Sequence, residues 1–553
     1  MGFKLTKLDF INSFIIFILS FIFVSDLFLV KGQPQTFDAP AHITTIAQFG
    51  EILKQGEFPI IWVDKFANYG YPLGLFAHQL TAYLGGFINI FVNNPILSYN
   101  LLFFLATFLA TLFFYLFLRL YFSGKTSLIA VTFFLFSAYR IINTYIRGAL
   151  PEYFSFSFFI LALFSLSLLF KQRKYFFSLV FIFSITASLL LHPMMFIFYG
   201  PLIFFYFCLI WRENKFSKKD LLLLITLFLL SFTLAVFYLL PLKLENKYFV
   251  RTSTVSSINN DQFLTIANYF SSVWFYFLGH PGPRGNFIQF GLMETIICLC
   301  SLILFFLLKK GHKEKQNLFY FSFISFVVLL FFTLSPSLFL YKLPFLREIQ
   351  YPWRVLGVMI LPATIFLAFY LEKLKHNLIY LLVLFLILLI RVPQIYTKNV
   401  VNFPLTRYYF TAYNLHTNDL TLNWIGDPSE YPSKTQKVEI IEGQGEIKNL
   451  KVENSSRIFK VQALTDLRMI DNTFYFPGWT VYIDGIKTNI EYQDPTYRGM
   501  ITYKVSAGDH DVKVIFENTK IRLFSQLISL AALCLLVPIF IFRKKVMKFF
   551  ALS

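Results

Sequence analysis

The stretch TFDAPAHITTIAQFG, residues 36–50, sets an acid and an imidazole four residues apart, Asp38 and His42. In a helix positions i and i+4 share a face, and Thr45 falls on the same side. A carboxylate there can take a proton from a hydroxyl, and a neighbouring imidazole can orient it. Further on, charged and polar groups recur at the ends of apolar runs. Arg140, Arg147 and Glu152 surround the phrase RGALPEY. His192 stands in LLHPMM and Glu294 in GLMETII. Arg347, Glu348, Gln350 and Arg354 form LREIQYPWR. A charge inside an apolar span costs about 2.5–3.5 kcal/mol on insertion scales, so such groups face a cavity or each other. Arginine grips phosphate bidentately. Acids and arginines meeting at one membrane face therefore suit an anionic, lipid-attached substrate. The candidates for proton transfer are Asp38, His42 and Glu152. Those for substrate binding are Arg140, Arg147, His192, Glu294, Arg347, Gln350 and Arg354.

Each candidate also has a simpler reading. Asp38 could cap a helix and do nothing else. His42 could be a satisfied interfacial histidine. Glu152 could pair with Arg147 or Arg140, and Glu294 could neutralise an arginine. His192, before a proline, could mark a turn. The aromatics of YPWR could be interfacial anchors.

The elements that must position these residues follow from hydropathy. Of 553 residues, 57% are hydrophobic and 14% charged, too few charges for a soluble protein of this length. Apolar runs of about 18 residues or more recur along the chain, which makes it a polytopic membrane protein. About twelve spans are expected: 9–30, 97–121, 126–144, 151–170, 174–191, 193–211, 220–242, 288–308, 317–335, 352–372, 377–392 and 521–542. Lysines and arginines cluster in alternate loops, which places those loops and the N-terminus in the cytoplasm. The net charge of +19 is thus topological and not a nucleic-acid signature. The four cysteines, Cys208, Cys298, Cys300 and Cys534, lie in apolar runs, and neither a disulfide framework nor a Cys/His zinc spacing exists.

One stretch, 75–92, is weakly apolar and carries Gln79, Gly85, Gly86 and Asn89. If it crossed the membrane, every later basic cluster would move outside. It is read as a helix lying on or dipping into the outer surface, so that 31–95 forms one long outer loop. The helix that Asp38 opens in that loop has an apolar stripe, Ile43, Ile46 and Leu53, directed at the interface. Gly56 and Pro59 end it.

From about residue 436 the pattern alternates apolar and polar residues between turn signals, as in an antiparallel β-sandwich or barrel. Asp484-Gly485 is a hairpin signal. The expected organisation is a transmembrane domain over 1–392, an extracytoplasmic β-sandwich-like domain over 393–520, and a final span with a basic cytoplasmic tail over 521–553. Asp509-His510-Asp511 reads as hairpin chemistry and not as a metal-binding DxD. Asn454-Ser455-Ser456 is a weak match to a glycosylation sequon.

Several phrases carry a family resemblance. FDAPAHITTIAQFGEILKQGEFPIIW with GYPLG, RGALPEYFSFSFF, LLHPMM and LREIQYPWRVLG resemble the multi-pass proteins labelled 6-pyruvoyl-tetrahydropterin synthase-related, membrane. YFPGWTVYIDG and AGDHDVKVIFE before a last span resemble YfhO-type proteins. Both are similar to the GT-C superfamily of glycosyltransferases. That resemblance implies a GT-C-like helical fold and transfer of a sugar from a polyprenyl-phosphate donor outside the membrane. It also implies an acidic base in the first outer loop, which by position is Asp38. GT-C members often carry a paired acid there, whereas this chain has Asp-Ala. The pterin label implies a zinc held by three histidines, and the scattered histidines here do not match it.

The expected function is therefore a membrane glycosyltransferase using a polyprenyl-phosphate-linked sugar to modify an envelope glycan, lipid or protein. Asp38 is the expected base, oriented by His42 and assisted by Glu152, with Arg147, Arg347 and Arg354 for the donor phosphate. Membrane lipids are expected partners and nucleic acid is not. No metal ligand set is assigned; no cofactor is fixed, with a divalent cation left open. The rival readings are a flippase or transporter of lipid-linked glycans, and a non-catalytic protein that binds envelope glycan. The expected location is the plasma membrane.

Overall fold

The computed structural model describes residues 4–65, 69–174, 176–214, 217–250, 258, 260–270, 288–307, 313–374, 376–410, 421–426, 431 and 434–541. The basic tail expected beyond residue 541 lies outside these residues, as do Lys215, Lys309, Lys310 and Lys375 of the basic clusters. The molecule is a helical membrane protein with an all-β region before its last helix. Among the described residues nine helices are long and apolar enough to cross a membrane, the first at Lys7–Leu29 and the last at Lys520–Pro538. Two shorter apolar helices, Phe176–Leu191 and Leu292–Leu304, stand at two further expected spans.

The third expected span is broken. Gly124–Leu135 and Ala138–Arg147 form a pair bent by 44°. The freed backbone N–H of Ala138 is met by Glu294 Oε1 at 2.9 Å. The next helix, Leu150–Phe170, is buried along its entire length. Pro151 sits in its first turn, where a missing N–H costs nothing. It forms the axis around which the other helices pack.

The first loop differs from expectation in one respect. Its helix Ala39–Lys54 does not turn its apolar stripe to lipid, because Ile43 and Ile46 are fully buried in protein. The reason is glycine. The helix Gln79–Val92 carries Gly85 and Gly86, and a Cβ on Gly86 would stand 3.0 Å from the backbone N of Gly50. The two helices therefore pack backbone to backbone and cover each other. Phe87 and Phe91 of the second remain exposed.

Eight strands build the β-region: β1 (Val438–Glu442), β2 (Gly445–Val452), β3 (Ser456–Ala463), β4 (Leu467–Phe474), β5 (Trp479–Ile483), β6 (Ile486–Thr488), β7 (Met500–Val505) and β8 (Gly508–Phe516). They form an antiparallel sheet in the order β6-β5-β8-β3-β2 and a second in the order β7-β4-β1. In β3, Phe459, Val461 and Ala463 are buried while Ile458, Lys460 and Gln462 are exposed, the period-2 pattern of a sheet with one covered face. Asp484 and Gly485 both have positive φ, 51° and 79°, as the tight turn between β5 and β6 requires.

The first loop and the β-region share one core. Trp62 meets Trp479 edge-on at 5.4 Å, and Tyr69 stacks on Phe474 at 4.9 Å. Buried ions reinforce the joint. Arg457 pairs with Asp471 at 3.1 Å and with Asp64 of the loop, which Lys437 also meets at 2.9 Å. Burial opposes the charge on Asp64, but Lys437 and Arg457 outweigh it and hold its carboxyl below the ordinary range. At the other end, Arg522 of the last helix pairs with Glu245 at 2.9 Å and donates to the Pro477 carbonyl at 2.8 Å. Asn454 donates to Glu57 and to the Trp62 carbonyl at 3.0 Å, so the sequon side chain is a structural tie.

Trp479→Ala is expected to cost about 3–5 kcal/mol, the usual range for removing a buried aromatic. It deletes the contacts with Trp62, Phe516 and the Arg457 guanidinium. Limited proteolysis should then cut the β-region and the first loop together while the spanning helices stay intact. Unchanged protease resistance would remove Trp479 from this anchoring role.

Candidate functional site

The site is built on Glu152, in the first turn of the buried helix Leu150–Phe170. Its Oε1 accepts from Arg147 Nη1 at 2.7 Å, from Tyr139 Oη at 3.0 Å and from Asn143 Nδ2 at 3.3 Å. Its Oε2 faces Arg354 Nε at 3.4 Å. Tyr139, Asn143 and Arg147 lie four apart, which puts all three on one side of the short helix and the wider π-helical turn that follows. Asn143 Oδ1 accepts a second bond from Arg147 at 2.6 Å, and the Arg147 guanidinium lies over the Trp353 ring at 4.6 Å. Glu152 and Arg147 are each 5% exposed. Two cations thus share one buried carboxylate, with hydroxyl, amide and ring groups completing the set.

The first loop is laid onto this cluster by its backbone. Asp38 N–H donates to the Arg147 carbonyl at 2.8 Å, and Phe37 N–H to the Ile146 carbonyl at 3.2 Å. Gly148 allows the approach: its φ is +66°, and a Cβ there would run into Thr36 Oγ1. Asp38 occupies the N-cap position of Ala39–Lys54, yet its carboxylate makes no capping bond. The Thr36 hydroxyl accepts from Ala39 N–H at 3.2 Å instead. The capping account of Asp38 therefore fails, and its side chain is left for other work.

Around Asp38 stand three histidines. His42 and His78 lie 6.2 Å apart, and His78 stacks on His192 at 5.0 Å with the rings 18° from parallel. Asp38, His42, His78 and Arg354 are half-buried, so part of the cluster is reached from the surface. Burial pushes the Asp38 carboxyl above the ordinary carboxylate range, against the pull of Arg147 and Arg354. Burial first, then Arg147, lowers His42 to about 4. Burial, His42 and Arg354 lower His78 to about 3. Both imidazoles are neutral at physiological pH.

Among the described residues His192 Nδ1 and Trp353 Nε1 have no hydrogen-bond partner, and Glu152 Oε2 and Arg354 Nε meet only as an ion pair at 3.4 Å. Unpaired buried groups are rare in folded proteins.

The cluster thus brings together Asp38, His42, Arg147, Glu152, His192 and Arg354. It does not gather the rest. Glu294 is fully buried and pairs with Arg391 at 2.5 Å, holding the break before Ala138. Arg347 is exposed at the end of the single turn Pro344–Arg347. Gln350 is half-buried in a left-handed turn, φ 65°. Arg140 faces Tyr153 and Phe134 instead of Glu152. His78, Tyr139 and Asn143 were not singled out from the sequence, and Trp353, read there as an interfacial anchor, is buried under Arg147. The spacing of Tyr139, Asn143 and Arg147 was a signal for two of them, while His78 stands alone in GLFAHQL and gave none. Among the described residues no group of three or more His, Cys, Asp or Glu side chains is arranged to hold a metal ion.

A family model described as 6-pyruvoyl-tetrahydropterin synthase related domain; membrane protein matches residues 78–400, well over half of the chain. The chain belongs to this membrane protein family. The matched residues begin at His78 and include Arg147, Glu152, His192 and Arg354, whereas Asp38 and His42 precede them. No curated protein matches. Among solved structures, the crystal structure of the Archaeoglobus fulgidus oligosaccharyltransferase, tethered with an acceptor peptide containing the NVT sequon, is similar at 14% identity with a TM-score of 0.36. The match covers 73% of this chain and 55% of that one, so the chain spans about half the length of that enzyme.

Gly148→Ala is expected to push the first loop off the turn at Arg147 and to abolish the Asp38–Arg147 backbone bond. The residue needs positive φ, and an added Cβ has no room. Hydrogen exchange at the Phe37 and Asp38 amides should rise at least tenfold while exchange in Leu150–Phe170 is unchanged. Protection equal to the wild type would show that the loop is held by other means.

Proposed function

We propose that this protein is a membrane glycosyltransferase of the GT-C type. It takes a sugar from a polyprenyl-phosphate-linked donor and passes it to an envelope glycan, lipid or protein on the extracytoplasmic side. One observation carries the reading. The Asp38 carboxylate is free of any capping bond and lies within electrostatic reach of Arg147, Arg354 and His78. The resemblance of the first loop to the acid-bearing loop of GT-C enzymes points to the same residue.

In this reading Asp38 accepts the proton of the acceptor hydroxyl as its oxygen attacks the anomeric carbon. The bond from that carbon to the donor phosphate breaks, and the phosphate leaves with the electron pair. Burial makes Asp38 a stronger base than an exposed aspartate. His42 and His78, kept neutral, can bond to hydroxyls without adding charge. Glu152 holds Arg147 and Arg354 in place and neutralises part of their charge, so that the cluster is not overwhelmingly cationic before substrate arrives.

Asp38→Asn and Asp38→Ala should both fold and insert as the wild type does, because no capping bond is lost. Both should lower transfer by about 100- to 10,000-fold, the usual contribution of a general base. The readout is loss of a sugar residue from envelope glycans by mass spectrometry. If Asn supports transfer that Ala abolishes, Asp38 is not the base. The acid limb of the rate profile should lie above the ordinary aspartate value of about 3.9, because the raised carboxyl must ionise to act and is inactivated as pH falls through its own pKa.

Orientation is tested separately. Ile486, in the strand after the Asp484-Gly485 turn, is 72% exposed. In Ile486→Cys cells an impermeant thiol reagent should label the β-region from outside. Protection in intact cells with labelling after lysis would place the β-region and the cluster on the cytoplasmic side.

A further inference from the structure

The five-stranded sheet packs one face on the core it shares with the first loop and leaves the other face open. On the open face lies a groove of about 630 Å³, inside the range of about 300–1,000 Å³ usual for small-molecule sites. Its middle is a row of three side chains on neighbouring strands. Tyr482 of β5 stands opposite Lys513 of β8, and Lys513 stands opposite Ile458 of β3. Residues opposite each other in a ladder share a face, so a ring, an ammonium and an aliphatic chain lie side by side. A second row sets Lys460 of β3 against Asp511 of β8 at 3.6 Å. Glu517, just past β8, accepts from the Tyr482 hydroxyl at 3.2 Å.

Two backbone features shape the walls. The ladder between β2 and β3 slips between Lys448 and Lys451. That bulge holds Asn449 at a φ of 56° and puts it in the groove wall, as bulges commonly re-aim a side chain. Its amide has no hydrogen-bond partner among the described residues. At the opposite wall the Asp484-Gly485 turn is fastened to β8. Asp484 N–H donates to the Asp511 carbonyl at 2.9 Å, and the Asp484 carboxylate accepts from Asp511 N–H at 2.8 Å and meets His510 Nδ1 at 2.6 Å.

The floor decides what can be read there. β8 and β3 are each paired on both sides, so their main-chain groups are already used and an extended peptide finds no strand to join. Recognition falls to side chains. Two lysines, Lys460 and Lys513, face two acids, Asp511 and Glu517, which leaves the groove without net charge. An ionic ligand therefore has no overall attraction to it. Polar groups alternate with the Tyr482 ring and with Ile458, which is 46% exposed. A molecule with apolar C–H faces and a rim of hydroxyls matches this alternation. Its faces cover the ring and Ile458, and its hydroxyls replace water at Asn449, Lys513 and Glu517.

We propose that this groove binds a neutral oligosaccharide lying across β5, β8 and β3. The groove shares no residue with the Glu152 cluster, and the assignment does not depend on the transfer reading. The test uses the full chain in lipid nanodiscs and an array of neutral oligosaccharides of glucose, galactose, mannose and N-acetylhexosamines, with trigalacturonate as the charged comparison. The wild type should bind at least one neutral member, and more tightly than trigalacturonate. Tyr482→Ala should weaken that binding about tenfold, the scale of one aromatic contact. Tyr482→Phe keeps the ring and loses only the bond to Glu517, so it should retain most of the binding. Ile458→Arg fills the groove from an exposed position and should abolish binding at an unchanged melting temperature. Lys504→Ala, on the other sheet, should bind as the wild type does. If Tyr482→Ala lowers the melting temperature, Ile458→Arg decides. Failure of the wild type to bind any neutral member overturns the proposal, as does a preference for trigalacturonate. Binding that survives Ile458→Arg overturns it too, because the saccharide then sits elsewhere.

Discussion

Glu152 lies at the start of a helix that is buried along its whole length, where an ionised carboxylate survives only if its oxygens are met. Three donors converge on Oε1, and a second guanidinium flanks Oε2. Breaking such a buried pair by removing one partner typically costs about 3–5 kcal/mol. The requirement reaches outward from there. Arg147 must stand at the end of the bent span, which fixes the turn at Gly148. That turn in turn receives the backbone of Phe37 and Asp38. The position of the candidate base is thus set by a carboxylate in a different helix, through main-chain bonds that no side-chain substitution at position 38 disturbs.

The same rule operates elsewhere in the molecule. Glu294 with Arg391, and Glu245 with Arg522, tie helices that are distant in sequence. Arg457 with Asp64 and Asp471 ties the first loop to the β-region. In each case a charge that would be intolerable alone specifies which elements meet. Arg140 departs from the rule: among the described residues it packs on the Phe134 and Tyr153 rings with no carboxylate beside it.

Much of the architecture was legible in the sequence, because hydropathy acts over whole segments. The apolar runs became helices, and the alternating segments after residue 436 became strands. The Asp484-Gly485 turn formed where its conformational demands predicted it. Several site residues were legible too, since charges in apolar surroundings are conspicuous. What failed depended on three-dimensional pairing. Glu294 looked like a substrate ligand until Arg391, 97 positions away, proved to be its partner. The stripe of Ile43 and Ile46 looked lipid-facing because a sequence does not show that Gly50 and Gly86 let a second helix approach. His78 was missed because a single histidine carries no periodicity, and its role depends on stacking with His192.

The shared core of the first loop and the β-region bears on how the chain is made. Asn454 closes on Glu57 and Trp62 across nearly 400 residues, and Trp62 waits for Trp479. The loop that carries Asp38 is made nearly 400 residues before the surface that covers it. Until the β-strands arrive, Trp62, Tyr69 and the unpaired Asp64 are exposed to water and to other chains. The shared core beside the candidate centre is therefore left open until the β-region has been made.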